Sequence, residues 1–445
     1  MRDVTRWGGA GREHDAERRG AAAVLLVGAG ALLVAGSGFR PLTRRWPAAL
    51  AASVPALLAT EAPRPTAAVT LALSGWSLRR AGTADPRSTS GVLTLAGLAL
   101  TTAATVGLVA LDRRARRVDL VLAAALRHGG LPGSSAHDGS GPGAPGRPPP
   151  PPRWPGWRAV RRFREAGARD VAYGPHGVAN TLDVWRRPDL PADARAPVFL
   201  QVHGGAWSSG RKEDEALPLL SHLVDRGWVA VAVNYRLGPA ARWPAMIDDV
   251  RRALAWTREH VAGYGGDPDR LVVGGGSAGA HLAALAALTP DVGPDPGTAG
   301  TPVAAAVTSY GIYDLTSDDG SGTLEDLLVG TMMPAPLAED PGPWTEASPH
   351  HRAGPDAPPF FVLHGSGDAV VAPAQSRAFV RRLRAVSAAP VVYAELPHAQ
   401  HAFDTLPTAR TLRCVRAVET FLDAVLGERG AGVTGGARRV VGDGR

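Results

Sequence analysis

The sequence predicts an α/β protein, a mostly parallel sheet with helices on both faces, preceded by N-terminal transmembrane helices. Three observations carry this reading. Short, nearly continuous apolar runs such as Pro197–Val202, Trp228–Val233 and Pro359–Leu363 have the pattern of strands buried on both faces. Segments with helical spacing separate them, which requires crossover connections and hence parallel strands. The first third of the chain contains two uncharged runs, Gly20–Phe39 and Gly91–Leu111.

At 445 residues the chain has room for one large domain and an additional region. Hydrophobic content of 45% and charged content of 20% are ordinary for a globular protein. The net charge of +7 is carried almost entirely by arginine. No nucleic-acid motif or basic stripe with interleaved aromatics is present, so a nucleic-acid partner is not expected and the arginines are read as membrane flanks. The single cysteine, Cys414, excludes an intrachain disulfide and a cysteine-based zinc site.

Residues 1–128 form the expected membrane-anchoring region. Gly20–Phe39 is about 30 Å long as a helix, enough to cross a bilayer. Gly91–Leu111 is a second such run, followed by Asp112-Arg113-Arg114 and Arg116-Arg117. Two weaker runs, Ala48–Thr60 and Thr66–Leu78, lie between them and are short for a span. A cleavable signal peptide ending near Val34-Ala35-Gly36-Ser37 competes for the first run, but the second would survive cleavage. Integral, multi-pass membrane localisation and a bilayer partner are therefore expected. Arginines flank several runs, and the densest cluster, Arg113–Arg117, favours a cytoplasmic face for the C-terminal domain.

Residues 129–156, rich in Pro and Gly, read as a linker with a polyproline run at Pro148–Pro152. The catalytic domain is expected over 157–428 and a disordered tail over 429–445. Trp157, Arg158, Arg161 and Arg162 begin an amphipathic first helix. Thr181–Trp185 alternates like an early antiparallel strand. Ala245–Val261, Pro373–Arg384 and Thr405–Leu426 have helical periodicity, and Arg270–Val273, Val303–Tyr310 and Val391–Leu396 complete the strands. Ser317–Arg352, rich in Pro and Asp, is a candidate lid.

The chemistry-bearing motifs fall at strand ends, where sites form in such sheets. Leu271–Val273 runs into Gly275-Gly276-Ser277-Ala278-Gly279, followed by the apolar helical run Ala280–Leu288. This is the strand, sharp turn and helix of a nucleophile elbow, with Ser277 as nucleophile. His203-Gly204-Gly205-Ala206-Trp207 follows the strand Pro197–Val202. Acyl transfer makes an oxyanion, and Gly205, Ala206 and Ala278 are the candidate N–H donors. An acid is expected after a later strand. Asp368, in His364-Gly365-Ser366-Gly367-Asp368, fits better than Asp314 or Asp404. The base is expected after the last strand, where His401 is favoured over His398; His281 reads as a packed supporting residue. Trp207, Tyr310 and Phe403 flank these motifs and are candidate pocket residues. No metal site is expected.

With Asn234-Tyr235-Arg236-Leu237, Gly265-Gly266-Asp267-Pro268 and His401-Ala402-Phe403 added, Val171–Leu426 resembles the α/β-hydrolase fold, and within it the hormone-sensitive-lipase-like and feruloyl-esterase-like carboxylesterases. The resemblance implies hydrolysis of a small-molecule or lipid ester without a cofactor. It departs from one branch at Ala206, where that branch has glycine; alanine offers the same N–H. The anchored N-terminus is similar to that of some actinobacterial lipase-like proteins. An acyltransferase or deacetylase working on envelope lipids or glycans, and a membrane-tethered binding protein, are the alternatives to an esterase on short- to medium-chain esters.

Overall fold

The structure is a computed structural model. It describes residues 7–43, 48–82, 85–131, 151–295, 298, 300–317 and 323–427. Most of the linker, including Pro148–Pro150, and the tail expected over 429–445 lie outside the described residues.

Among the described residues, eight strands form one sheet in the order β1-β2-β4-β3-β5-β6-β7-β8. They are β1 (Ala168–Ala172), β2 (Thr181–Trp185), β3 (Ala196–Val202), β4 (Val229–Val233), β5 (Gly266–Gly276), β6 (Ala305–Ser309), β7 (Phe360–Gly365) and β8 (Val391–Leu396). β2 is antiparallel to β1 and β4, and β3 through β8 are parallel. Along β4, Val229, Val231 and Val233 face one core while Ala230 and Ala232 face the other. Both faces are dry, which is why this strand reads as continuous apolar sequence instead of alternating.

Among the described residues, fourteen α-helices are named in chain order. The N-terminal ones are α1 (Trp7–Phe39), α2 (Ala48–Glu61), α3 (Pro63–Ala81), α4 (Thr89–Ala115) and α5 (Val118–His128). The next are α6 (Trp157–Ala166), α7 (Leu217–Asp225), α8 (Ala245–His260) and α9 (Ala278–Leu288). The remainder are α10 (Thr323–Thr331), α11 (Pro341–Glu346), α12 (Pro349–Arg352), α13 (Ala374–Val386) and α14 (Ala409–Leu426). Helices α8, α9 and α13 cover one face of the sheet, and α5, α6, α7 and α14 the other.

Helices α1 to α4 pack on one another as a bundle. Among the described residues, His14–Phe39 and Thr89–His128 are the stretches long and apolar enough to cross a membrane, by length and composition. The α1–α4 crossing is made by glycine. A Cβ on Gly28 would lie 2.3 Å from the Gly97 carbonyl, and one on Gly97 would lie 2.6 Å from the backbone of Val24 and Leu25. Small residues at such a crossing let two backbones approach closely.

The boundary at residue 128 is corrected by the packing of α5. Val118, Leu122 and Ala125 are buried in the same core as Phe361, Val392 and Phe421. Val391 N–H donates to the Gly129 carbonyl at 2.9 Å, so the chain after α5 covers the β8 edge. The end of the long apolar stretch therefore belongs to the sheet domain. Hydrophobicity alone does not distinguish a lipid-facing helix from one buried against protein.

Candidate active site

Ser277 sits between β5 and α9 with φ 56° and ψ −121°, a conformation that non-glycine residues rarely adopt. Its neighbours explain the motif. A Cβ on Gly279 would lie 2.1 Å from the Val202 carbonyl, and one on Gly275 would lie 2.5 Å from the Gly279 backbone. Only glycine lets helix α9 start this close to β3 and β5. Six of the nine positive-φ non-glycine residues among the described residues cluster at strand ends here: Ala206, Trp207, Ser277, Tyr310, His398 and Ala402. Such strain persists where the surrounding structure over-determines it, typically at functional sites.

Ser277, His401 and Asp368 form one hydrogen-bonded chain. His401 Nδ1 lies 2.8 Å from Asp368 Oδ2, and His401 Nε2 lies 3.0 Å from Ser277 Oγ. With Nδ1 donating to the carboxylate, Nε2 is left to accept the serine proton. Asp368 is fully buried, and its Oδ1 accepts the N–H groups of Val370 and Val371 at 2.8 Å each. Burial raises its pKa, but the charge of His401 and hydrogen bonds from His364 and His401 outweigh this and hold it below the usual carboxylate range. Burial pulls His401 down, and the Asp368 carboxylate more than reverses that, leaving a net rise above 6.5.

The rival residues are used elsewhere. Asp314 Oδ1 holds its own turn by accepting Thr316 N–H at 3.0 Å. Asp404 accepts the Tyr310 hydroxyl. His398 faces away from Ser277, with its Nε2 2.9 Å from Arg114 Nη1 and its ring 5.6 Å from that of Phe39. The acid and base loops are tied together, since His398 N–H donates to Ser366 Oγ at 2.8 Å and Gly367 N–H to the Ala399 carbonyl at 3.0 Å.

The turn after β3 lies against the serine. A Cβ on Gly204 would be 3.2 Å from Ser277 Cβ. Tyr235 stacks on the His203 ring at 4.4 Å and donates its hydroxyl to the His203 carbonyl at 3.0 Å, which shapes the turn presenting Gly205 and Ala206. Ala278 is the first residue of α9, so its N–H has no intrahelical acceptor.

Of the three aromatic candidates, Tyr310 and Phe403 stand at the site. Tyr310 is 4.7 Å from the His401 ring, and Phe403 meets Tyr310 edge-on at 5.4 Å. Trp207 is corrected: it is fully buried, and its indole N–H donates to His281 Nδ1 at 3.1 Å. His281 Nε2 in turn faces the Ala347 carbonyl at 2.6 Å. Burial, partly offset by that carbonyl, lowers the His281 pKa to about 4 and keeps the ring neutral. Trp207 therefore braces the turn from below. The same contact pins the chain just before α12 to the elbow helix, so the segment read as a lid is anchored at its C-terminal end.

Sequence reasoning missed Glu215. Its Oε2 accepts Gly204 N–H at 2.8 Å, and a Cβ on Gly204 would lie 2.8 Å from its Oε1. Burial pushes its pKa up to about 7, against the lowering effect of that N–H. No motif marks an acid eleven residues after a glycine, so only the folded turn reveals it. Among the described residues, Asp170, Asp183 and Glu213 have metal-ligand spacing, but Lys212 Nζ lies 2.7, 3.0 and 2.5 Å from them and neutralises the group.

This sheet, elbow and hydrogen-bonded chain define an α/β-hydrolase of the carboxylic ester hydrolase type. The comparisons place the chain in that family, to which it belongs. Residues 182–383 match the BD-FAE family. The chain is 43% identical over 427 residues to "Probable carboxylic ester hydrolase LipM" of Mycobacterium tuberculosis, spanning 94% of this chain and 96% of that protein. It is 48% identical over 268 residues to "Esterase LipQ" of the same organism, spanning 59% of this chain and 64% of that protein. Among solved structures, "Truncated form of carbohydrate esterase from gut microbiota" matches with a TM-score of 0.52 at 21% identity. That match covers 60% of this chain and 98% of the other, a likeness of fold.

Proposed function

We propose that this carboxylic ester hydrolase is a membrane-anchored serine esterase acting on short- to medium-chain esters through an acyl-enzyme. The observation that carries the reading is the Ser277–His401–Asp368 chain, with Ser277 in a strained turn. His401 takes the Ser277 proton as Oγ attacks the ester carbonyl. The N–H groups of Gly205, Ala206 and Ala278 hold the oxyanion. His401, now an imidazolium stabilised by Asp368, protonates the departing alcohol. Water activated by the same imidazole then hydrolyses the acyl-enzyme. The expected anchor is residues 1–117, crossing the membrane at α1 and α4, which run toward the same face, and returning through α3, with the sheet domain on the cytoplasmic side.

The test is labelling with a fluorophosphonate probe, followed by a p-nitrophenyl ester chain-length series. Labelling is expected in the native chain and absent from Ser277→Ala. An unlabelled native chain that turns over no ester would overturn the reading. Labelling with no hydrolysis of any ester would favour a dedicated acyltransferase.

A further inference from the structure

We infer that the natural ester is carried by an amphiphile resident in the bilayer and is attacked at headgroup depth, without being extracted into water. This deepens the esterase reading and rests on it and on α1 and α4 crossing a membrane. Three observations locate the site relative to the bilayer.

The bundle has the polarity of a membrane domain. Leu26, Val69, Leu95 and Val106 are more than half exposed, while Ser37, Ser74 and Thr101 are buried. Across the interior, Ser74 and Thr101 share a hydrogen bond at 3.0 Å. A surface of this kind is covered by lipid.

The charge-free lengths all end at one level. The run in α1 stops at Phe39, before Arg40, and the run in α4 stops at Leu111, before Asp112. The α2–α3 turn is level with them, because Arg64 on α3 bonds Asp112 at 3.3 Å. Asp112 also pairs with Arg116 at 3.1 Å. This belt of Arg64, Asp112, Arg114 and Arg116 marks the edge of the hydrocarbon, where arginine meets headgroups.

The sheet domain meets the bundle at that level, and it does so with the base loop. Phe39 and Arg114 both contact His398, three residues before His401. Glu61 pairs with Arg410 at the start of α14, and Thr408 Oγ1 donates to Glu61 Oε2 at 3.1 Å. Asp119 pairs with Arg413 at 2.8 Å. Three residues of chain reach at most about 11 Å. The polar layer of each leaflet is about 5–7 Å thick. His401 therefore lies within about two headgroup layers of the hydrocarbon edge, and the carboxyl ends of the strands open toward the membrane surface. An amphiphilic ester presents its carbonyl at this boundary, with its chains in lipid. Ser277 Oγ bonds the acyl carbon, the acyl–alkoxy bond breaks, and the alcohol leaves with the proton from His401. Water from the aqueous side then releases the acid and restores the Ser277 proton through His401.

The experiment uses the full chain in phosphatidylcholine vesicles and two esters with the same acyl group, soluble p-nitrophenyl butyrate and bilayer-resident hexadecyl butyrate. Hexadecyl butyrate hydrolysis, read as butyrate released, should be about tenfold faster when ester and enzyme share a vesicle than when they occupy separate ones. It should also fall as carrier lipid dilutes the ester at fixed bulk concentration. The double variant Phe39→Ala, Arg114→Ala should lower hexadecyl butyrate turnover severalfold more than p-nitrophenyl butyrate turnover. Equal rates in shared and separate vesicles, or p-nitrophenyl butyrate hydrolysis with hexadecyl butyrate untouched, would overturn the inference. Failure on both probes would sink the esterase reading itself, and the inference with it.

Discussion

The two halves of the molecule are built on opposite polarity. The sheet domain puts Val198, Leu200, Phe361 and Phe421 inside, and the charges it buries are held by partners, as Lys212 is by Asp183. The bundle keeps Ser37, Ser77 and Thr101 inside and turns leucine and valine outward. Water drives the first arrangement, because burying apolar area is worth roughly 25 cal/mol per Å². In the bundle, backbone approach through Gly28 and Gly97 and short hydroxyl bonds such as Ser74–Thr101 take over the work of association. Conformational strain follows the same divide. Ser277, Tyr310 and His398 hold positive φ in the sheet domain, whereas among the described residues no non-glycine position in α1 to α4 does.

The most direct test of this division removes the chemistry from the sheet domain alone. Asp368→Asn should leave His401 without its orienting carboxylate and cut kcat by about 10⁴-fold, with helical content by circular dichroism unchanged. A much smaller loss would show that another acid serves His401. Gly97→Leu attacks the other half. The added side chain has no room against Val24 and Leu25, and overpacking of this kind costs about 1–3 kcal/mol or more. Protease resistance of α1 to α4 in detergent should drop, while p-nitrophenyl butyrate turnover stays within about twofold of native, a change worth less than ~0.5 kcal/mol. Loss of turnover equal to that of Asp368→Asn would mean that the halves do not act separately.

His281→Leu leaves the Trp207 indole N–H buried without an acceptor, at a cost of about 1–3 kcal/mol. For a domain of this size each kcal/mol lowers Tm by about 2–4 °C, readable by differential scanning calorimetry. Glu215→Gln should have the smallest effect. Its carbonyl can still accept Gly204 N–H, but the charge that helps raise the His401 pKa is gone. His401 must be neutral to take the serine proton, so activity falls as pH drops through its raised pKa. Without Glu215 that pKa falls, and the ascending limb of kcat/KM against pH should move to lower pH. A limb that stays in place would mean that Glu215 serves the turn alone.

Much of the fold was legible because strand and helix periods are local. Thr181–Trp185 and Val391–Leu396 coincide with β2 and β8, and Ala245–Val261 differs from α8 by one residue. The candidate site was legible for a related reason. An elbow needs Gly275 and Gly279 within a few positions of the serine, so its signature is contiguous in sequence. Trp207 and Glu215 were misread or missed because their roles depend on partners far along the chain. Trp207 finds His281, and Glu215 reaches back to Gly204 across a loop whose path no motif announces.

Local patterns along the chain are enough to specify the strands and helices, the elbow, the strand-end positions of Ser277, Asp368 and His401, and the two long apolar stretches. Each is written in short-range periodicity or in a run of one polarity. Packing in three dimensions is what assigns α5 to the sheet domain, makes Trp207 a brace, and turns His398 toward Phe39 and Arg114 beside the bundle. Those outcomes depend on which distant surfaces meet, and the same apolar or cationic residue serves lipid, core or partner according to what the fold brings against it.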